Sequence, residues 1–296
     1  MKINYANRIL STAIFVALTI SASKTLALDI DAKDYVPAPE GTNLALLYLQ
    51  YADSDRLYDD GNRVAGDNRL ESQIGIFRAV HFMKIGDMTV DPQILIPYGK
   101  VEGKGDLSDA LGSETDFADP ILAATFWVQE DHKSGEYTGI TPYIIPPIGS
   151  YDNERPLNLG NNRWEFVLQG AHTRKLTNKL WLDLSLDMTH YGKNDEFGPD
   201  KQTQRRDVFW QMQGFLTYDV TPTADLRLKL SHSLGGETEV DSVRQDDRIQ
   251  RTKYEVGGSF FVTDTFQVLG TYGGDIENEN SFSESDRVNV RLLKVF

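Results

Sequence analysis

The stretch Leu180–Tyr191, LWLDLSLDMTHY, decides how the rest of the chain is read. Leu180, Leu182, Leu184, Leu186 and Met188 alternate with Trp181, Asp183, Ser185, Asp187 and Thr189, a period of two that marks a β-strand. One face is apolar and the other acidic. Such a strand fits a soluble sandwich with a buried face, or a barrel wall with lipid outside and water inside. The segments on either side choose between the two.

Upstream, Arg163–Ala171 sets Trp164, Phe166 and Leu168 against Glu165, Val167 and Gln169. Downstream, Asp207–Val220 sets Val208, Trp210, Met212, Leu216 and Tyr218 against Gln211, Gln213 and Thr217. The next two segments alternate Leu226, Leu228 and Leu230 with Arg227, Lys229 and Ser231, and Tyr254, Val256, Phe260 and Val262 with Lys253, Glu255 and Ser259. The last, Arg287–Phe296, does the same with Val288, Val290 and Leu292 against Arg287, Asn289 and Arg291. Further strands are expected at 42–52, 70–83, 89–98, 120–129, 137–148 and 266–274, with Pro142, Pro146 and Pro147 making 137–148 irregular. The first two carry mixed faces and do not resolve into inside and outside. Connections alternate long and short, including a long acidic loop at 275–286. An even strand number, alternating faces and alternating loop lengths predict an all-β fold: a transmembrane antiparallel β-barrel of about 12 strands, with short periplasmic turns and long extracellular loops. Closure also removes the exposed edges of a flat sheet.

Composition agrees. Mean hydropathy is −0.40, and no apolar run approaches the roughly 20 residues of a membrane helix. The one continuous apolar run, Ile9–Ile20, follows Lys2 and Arg8 and leads to Thr25-Leu26-Ala27, the layout of a secretory signal peptide over residues 1–27. Residues 28–41, acidic and proline-bearing, are expected as an extended periplasmic lead-in, and residues 42–296 as the barrel. Without residues 1–27 the chain carries 27 basic against 44 acidic residues, a net charge of −17 that argues against nucleic acid as a partner. There is no cysteine, hence no disulfide or thiolate chemistry. The expected location is the cell outer membrane of a Gram-negative bacterium after signal-peptide cleavage. The expected partners are outer-membrane lipid and lipopolysaccharide, the barrel-assembly machinery and a small-molecule solute.

Phe296, with Leu292, Val290 and Val288 behind it at even spacing, resembles the C-terminal assembly signal of bacterial outer-membrane barrels. The stretch DAKDYVPAPEGTNL (31–44), with Pro146–Asp152 and Leu157–Trp164, resembles the family named for a meta-pathway of phenol degradation, outer-membrane proteins often labelled transporters. That resemblance runs over nearly the whole mature chain and implies a barrel and a transport role. It supplies no catalytic residues. Long-chain fatty-acid transporter barrels are larger and carry an N-terminal plug, for which a lead-in of about 14 residues is too short.

Parity places Glu165, Asp183, Asp187, Gln211, Gln213, Arg227, Lys229, Glu255, Arg287 and Arg291 inside, as a polar lining that could set a transverse field on a solute. It also places Trp127, Trp181, Phe209, Phe215 and Phe261 in the lumen, where they fill space or form an apolar path. No zinc, calcium, phosphate-loop or dinucleotide pattern is present, so no metal or cofactor is expected. An outer-membrane lipid hydrolase would need a serine activated by a histidine. In Ser231-His232-Ser233 the neighbours point to opposite faces, and no enzyme is expected. The expected function is a channel or transporter for small aromatic or hydrophobic compounds. The alternative is a non-transporting structural or surface-interaction barrel.

Overall fold

The computed structural model describes residues 29–296, so the expected signal peptide lies outside the described residues. Twelve strands form the barrel: β1 Asn43–Asp59, β2 Asn68–His81, β3 Met88–Gly105, β4 Ile121–Asp131, β5 Glu136–Ile145, β6 Glu165–Lys175, β7 Leu180–Tyr191, β8 Phe209–Thr221, β9 Ala224–Gly235, β10 Ile249–Thr263, β11 Phe266–Asn278 and β12 Ser281–Val295. Each pairs antiparallel with the next, and β1 pairs with β12 from Leu44 opposite Val295 to Tyr58 opposite Ser281, which closes the sheet. Every ladder donor and acceptor then has a partner without water, as a membrane wall requires.

The alternating faces do what the stretch 180–191 implied. Leu184 and Leu186 are 50% and 47% exposed, while Asp183 and Asp187 between them are 2% and 4% exposed. Even-numbered apolar residues point outward on the strands from β3 to β12, among them Leu168, Met212, Leu228, Leu230 and Val256, except Phe282, which lies beyond a register shift in the β12–β1 ladder and faces in. On β1 and β2 the parity reverses, and Leu47, Leu49, Tyr51 and Phe77 face out. The reversal is a matter of register. In the β2–β3 ladder an even residue opposes an odd one, as with Ile74 and Gly99, and the β12–β1 ladder does the same with Val290 and Leu49. One shift flips every side chain of a strand. That is why the first two strands could not be oriented alone. An arginine in place of Leu184 would sit in the lipid band, and Leu184→Arg is expected to destabilise the barrel by roughly 2–4 kcal/mol, read as a lower urea midpoint in bilayers.

The short turns hold. Residues 86–87, 132–135, 176–179, 222–223 and 264–265 join strands at the end where β1 begins and β12 stops. The opposite end differs from expectation: the loop expected at 275–286 is strand, and β11 and β12 are joined by Glu279 and Asn280 alone. The Asp, Glu and Ser content that reads as loop is instead held by neighbours, residues 275–278 along β10 and residues 281–286 along β1. The expected loop at 53–69 also shrinks, because β1 runs on to Asp59. Beyond the wall, segments 194–197, 202–206, 238–240 and 243–244 form a separate four-stranded sheet. β5 ends at Ile145, before Pro146, and its ladder with β4 is interrupted opposite Pro142.

Inside, the extracellular half holds an apolar cluster of Leu57, Val101, Leu107, Leu111, Leu157, Leu159 and Phe282. Leu157 and Leu159 reach it because the loop 146–164 folds inward. Asp119 fixes that loop, its carboxylate accepting from the backbone N–H of Gly149 (2.8 Å) and of Asn161 (2.7 Å). Burial pushes the Asp119 carboxyl up from its ordinary value despite those donors.

Candidate functional site

All ten polar residues expected inside do face the lumen. They divide it. Arg227 and Lys229 on β9 and Arg287 and Arg291 on β12 make one wall basic, joined by Arg251 and Lys253 on β10. Glu165, Asp183 and Asp187 on β6 and β7 make the facing wall acidic. Glu255 sits on the basic side, 3.3 Å from Lys229. Gln211 and Gln213 on β8 lie between the walls.

What fills the space between them is the segment expected as an extended periplasmic lead-in. Residues 29–41 enter the lumen and cross it. The Asp29 carboxylate accepts from Lys229 Nζ at 2.8 Å and from Gln211 Nε2 at 3.3 Å, and lies 3.5 Å from Arg287. Ile30 N–H donates to Gln213 Oε1 at 3.3 Å. Asp31 takes Arg291 at 2.5 Å, and Asp34 takes Arg78 at 3.0 Å. On the opposite side the Lys33 backbone N–H donates to Asp183 Oδ1 at 3.2 Å, while its ammonium pairs with Asp219. Tyr35 Oη donates to Gln169 Oε1 (2.9 Å) and shares a hydrogen bond with Thr141 (2.7 Å), and Trp127 Nε1 donates to the Tyr35 carbonyl (2.9 Å). A tight turn makes this reach possible in few residues. Asp34 N–H returns to the Asp31 carbonyl and Val36 N–H to the Lys33 carbonyl, with Lys33 at φ +65°.

A plug of 13 residues suffices because a twelve-stranded lumen is narrow and Asp29, Asp31, Lys33 and Asp34 tie the plug to its walls. Asp29 shows the balance of forces. Burial alone would raise its pKa, but Lys229, Arg287 and Lys253 around it win and hold it below the ordinary value. Sequence reading missed Asp29, Asp31, Lys33, Asp34, Tyr35 and Arg78. The period-two spacing of Asp29, Asp31 and Lys33 was the available signal.

The five inward aromatics are placed at different heights and do not share one surface. Phe209 packs with Tyr191 and Ile249 toward the extracellular end. Phe215 packs on Ile30, Ala32 and Tyr35 of the plug, and Trp127 on Phe82. Trp181 donates to Asp219 Oδ2 at 2.8 Å beneath the Lys33 ammonium, 5.2 Å above its ring. Phe261 borders the space on the short-turn side of the plug.

Three spaces surround the plug. The outer chamber, about 180 Å³, is bordered by Asp29, by apolar residues that include Leu70, Ile74, Leu159 and Phe209, and by the charged residues Arg251, Lys253, Glu284 and Arg287. A slot of about 40 Å³ runs between Asp29–Asp31 and the basic wall. An inner vestibule of about 280 Å³ opens below, bounded by Lys33, Asp34, Arg227 and Arg291. Among the described residues no cluster of metal-ligating side chains occurs. His232 bonds Thr252 at 2.9 Å and is half-buried, between the buried Ser231 and Ser233 of its strand.

A family profile described as "Putative MetA-pathway of phenol degradation" matches residues 54–292. The chain is similar to the crystal structure of the COG4313 outer membrane channel from Pseudomonas putida F1, at 34% identity and a TM-score of 0.88, over 90% of this chain and 100% of that one. Two likenesses extend to the fold alone: the beta domain of the Bordetella autotransporter BrkA (8% identity, TM-score 0.52, 87% of this chain and 100% of that one) and the transport unit of the autotransporter AIDA-I from Escherichia coli (7%, 0.50, 96% and 97%). Comparison with curated proteins returns no relative.

Proposed function

The chain belongs to the phenol-degradation MetA-pathway family of outer-membrane channels, and on that premise we propose that it passes small solutes with an apolar body and a polar end, held shut at rest by its own N-terminal segment. The observation that carries this reading is the outer chamber. Its apolar and charged lining residues suit a ligand that buries a ring or alkyl group and presents one polar group, the usual make-up of a small-molecule site. An always-open aqueous pore would have no use for the apolar residues. Phe209 is assigned to the chamber's apolar lining, and Trp127 and Phe215 to seating the plug. Export by removal of residues 1–27 and residence in a Gram-negative outer membrane belong to the same proposal, as does the absence of catalysis.

The test is uptake of small aromatic compounds, neutral and ionised, into liposomes containing the purified barrel. Rates above those of protein-free liposomes, saturating with concentration, support the reading. Equal rates for every solute tried would sink it.

A further inference from the structure

The ion pairs of the plug are not distributed evenly. Among the described residues, the acids within ion-pair distance of Arg291 are Asp31 (2.5 Å) and Asp34 (3.7 Å), and the one within reach of Arg78 is Asp34. All belong to the plug. Arg227, by contrast, is neutralised by Asp225 on its own strand at 2.8 Å. When the plug leaves, Arg291 and Arg78 therefore lose every carboxylate within ion-pair distance, and an anion entering the lumen can take the place.

The three spaces connect along these same residues. Asp29 and Gln50 border both the outer chamber and the slot, and Arg227 and Arg291 border both the slot and the inner vestibule. A route past the plug thus descends the basic wall, from Arg287 at the chamber through Lys229 in the slot to Arg291 at the vestibule. At each station a plug carboxylate stands where a solute's carboxylate would.

We infer that the transported solutes are small amphipathic carboxylates, and that they open the channel by replacing Asp29, Asp31 and Asp34 in turn on the basic wall. The inference rests on the channel reading above and narrows it to charge. The plug is a tethered competitor for its own substrate's sites: a neutral aromatic can enter the chamber but offers nothing to Arg291, and a cationic one is repelled by it. Plug and solute bind the same cations, so occupancy by one lowers occupancy by the other by the same factor.

Uptake of benzoate, benzamide and benzylamine by proteoliposomes at neutral pH decides the matter, since the three share a ring and differ in charge. Benzoate is expected to enter saturably and about tenfold or more faster than the other two, the scale on which a charged cleft enriches its counter-ion. Asp31→Asn, which removes a competitor, is expected to lower the half-saturating benzoate concentration several-fold. If Asp31→Asn does not assemble, the three-solute comparison on the unmodified barrel decides alone. Equal rates for benzoate and benzamide, or a benzylamine rate above that of benzoate, would overturn the inference and leave the channel standing. No protein-dependent uptake of any solute would overturn both.

Discussion

Deleting Asp29–Val36 is expected to turn a barrel that passes almost no ionic current in planar bilayers into one with discrete conductance steps, at least about tenfold larger and favouring anions over cations. The plug crosses the lumen from Arg78 on β2 to Asp183 on β7 and Lys229 on β9, so its removal joins the outer chamber to the vestibule. The sign of the selectivity follows from what remains. Asp29, Asp31 and Asp34 leave with the segment and only Lys33 leaves on the other side, so the cleared lumen gains two positive charges on balance. Those charges sit at the narrow slot, where the field on a passing ion is strongest. A deletion variant with the same small current as the intact barrel would mean that the inward-folded loop 146–164, not the plug, is the barrier.

How much of this was open to sequence reading depends on how far each signal reaches. The stretch 180–191 has the same bounds as β7, and its parity carries from β3 to β12, because alternation is a local property of residues two apart. The ten polar lining residues followed from it. Two things did not follow. The facing of β1 and β2 depends on the register across the β2–β3 turn, which one inserted residue reverses and no strand encodes by itself. The plug depends on partners 44 to 260 residues away, as in Asp34 with Arg78 and Asp31 with Arg291. Locally, DIDAKDYVPAPEG is an acidic, proline-bearing segment without an apolar face, and by that standard it belongs in water. The structure instead packs it inside the lumen, where its charges pair with the walls.

The same dependence sets what Arg291→Gln should do. Removing one partner of a buried ion pair usually costs about 3–5 kcal/mol, because the other charge stays buried and unpaired. In β12 that cost would ordinarily fall on the barrel. Here the stranded charge, Asp31, belongs to a segment that can leave, so the penalty is avoided by undocking the plug while the twelve-stranded ladder stays intact. Two of the four tryptophans report on the plug: Trp127 through its bond to the Tyr35 carbonyl, and Trp181 beneath Lys33. The other two, Trp164 and Trp210, face outward. In Arg291→Gln, the Trp127 and Trp181 emission should shift red at a urea concentration well below that needed for the wild-type shift, with Trp164 and Trp210 replaced by Phe in both. Migration of the folded band on an unheated gel should not change. Adding Asp31→Asn to Arg291→Gln should restore most of the docking, since the uncompensated carboxylate is then gone. A barrel that unfolds as one unit in the single variant would instead place Arg291 in the structural wall and not in the gate.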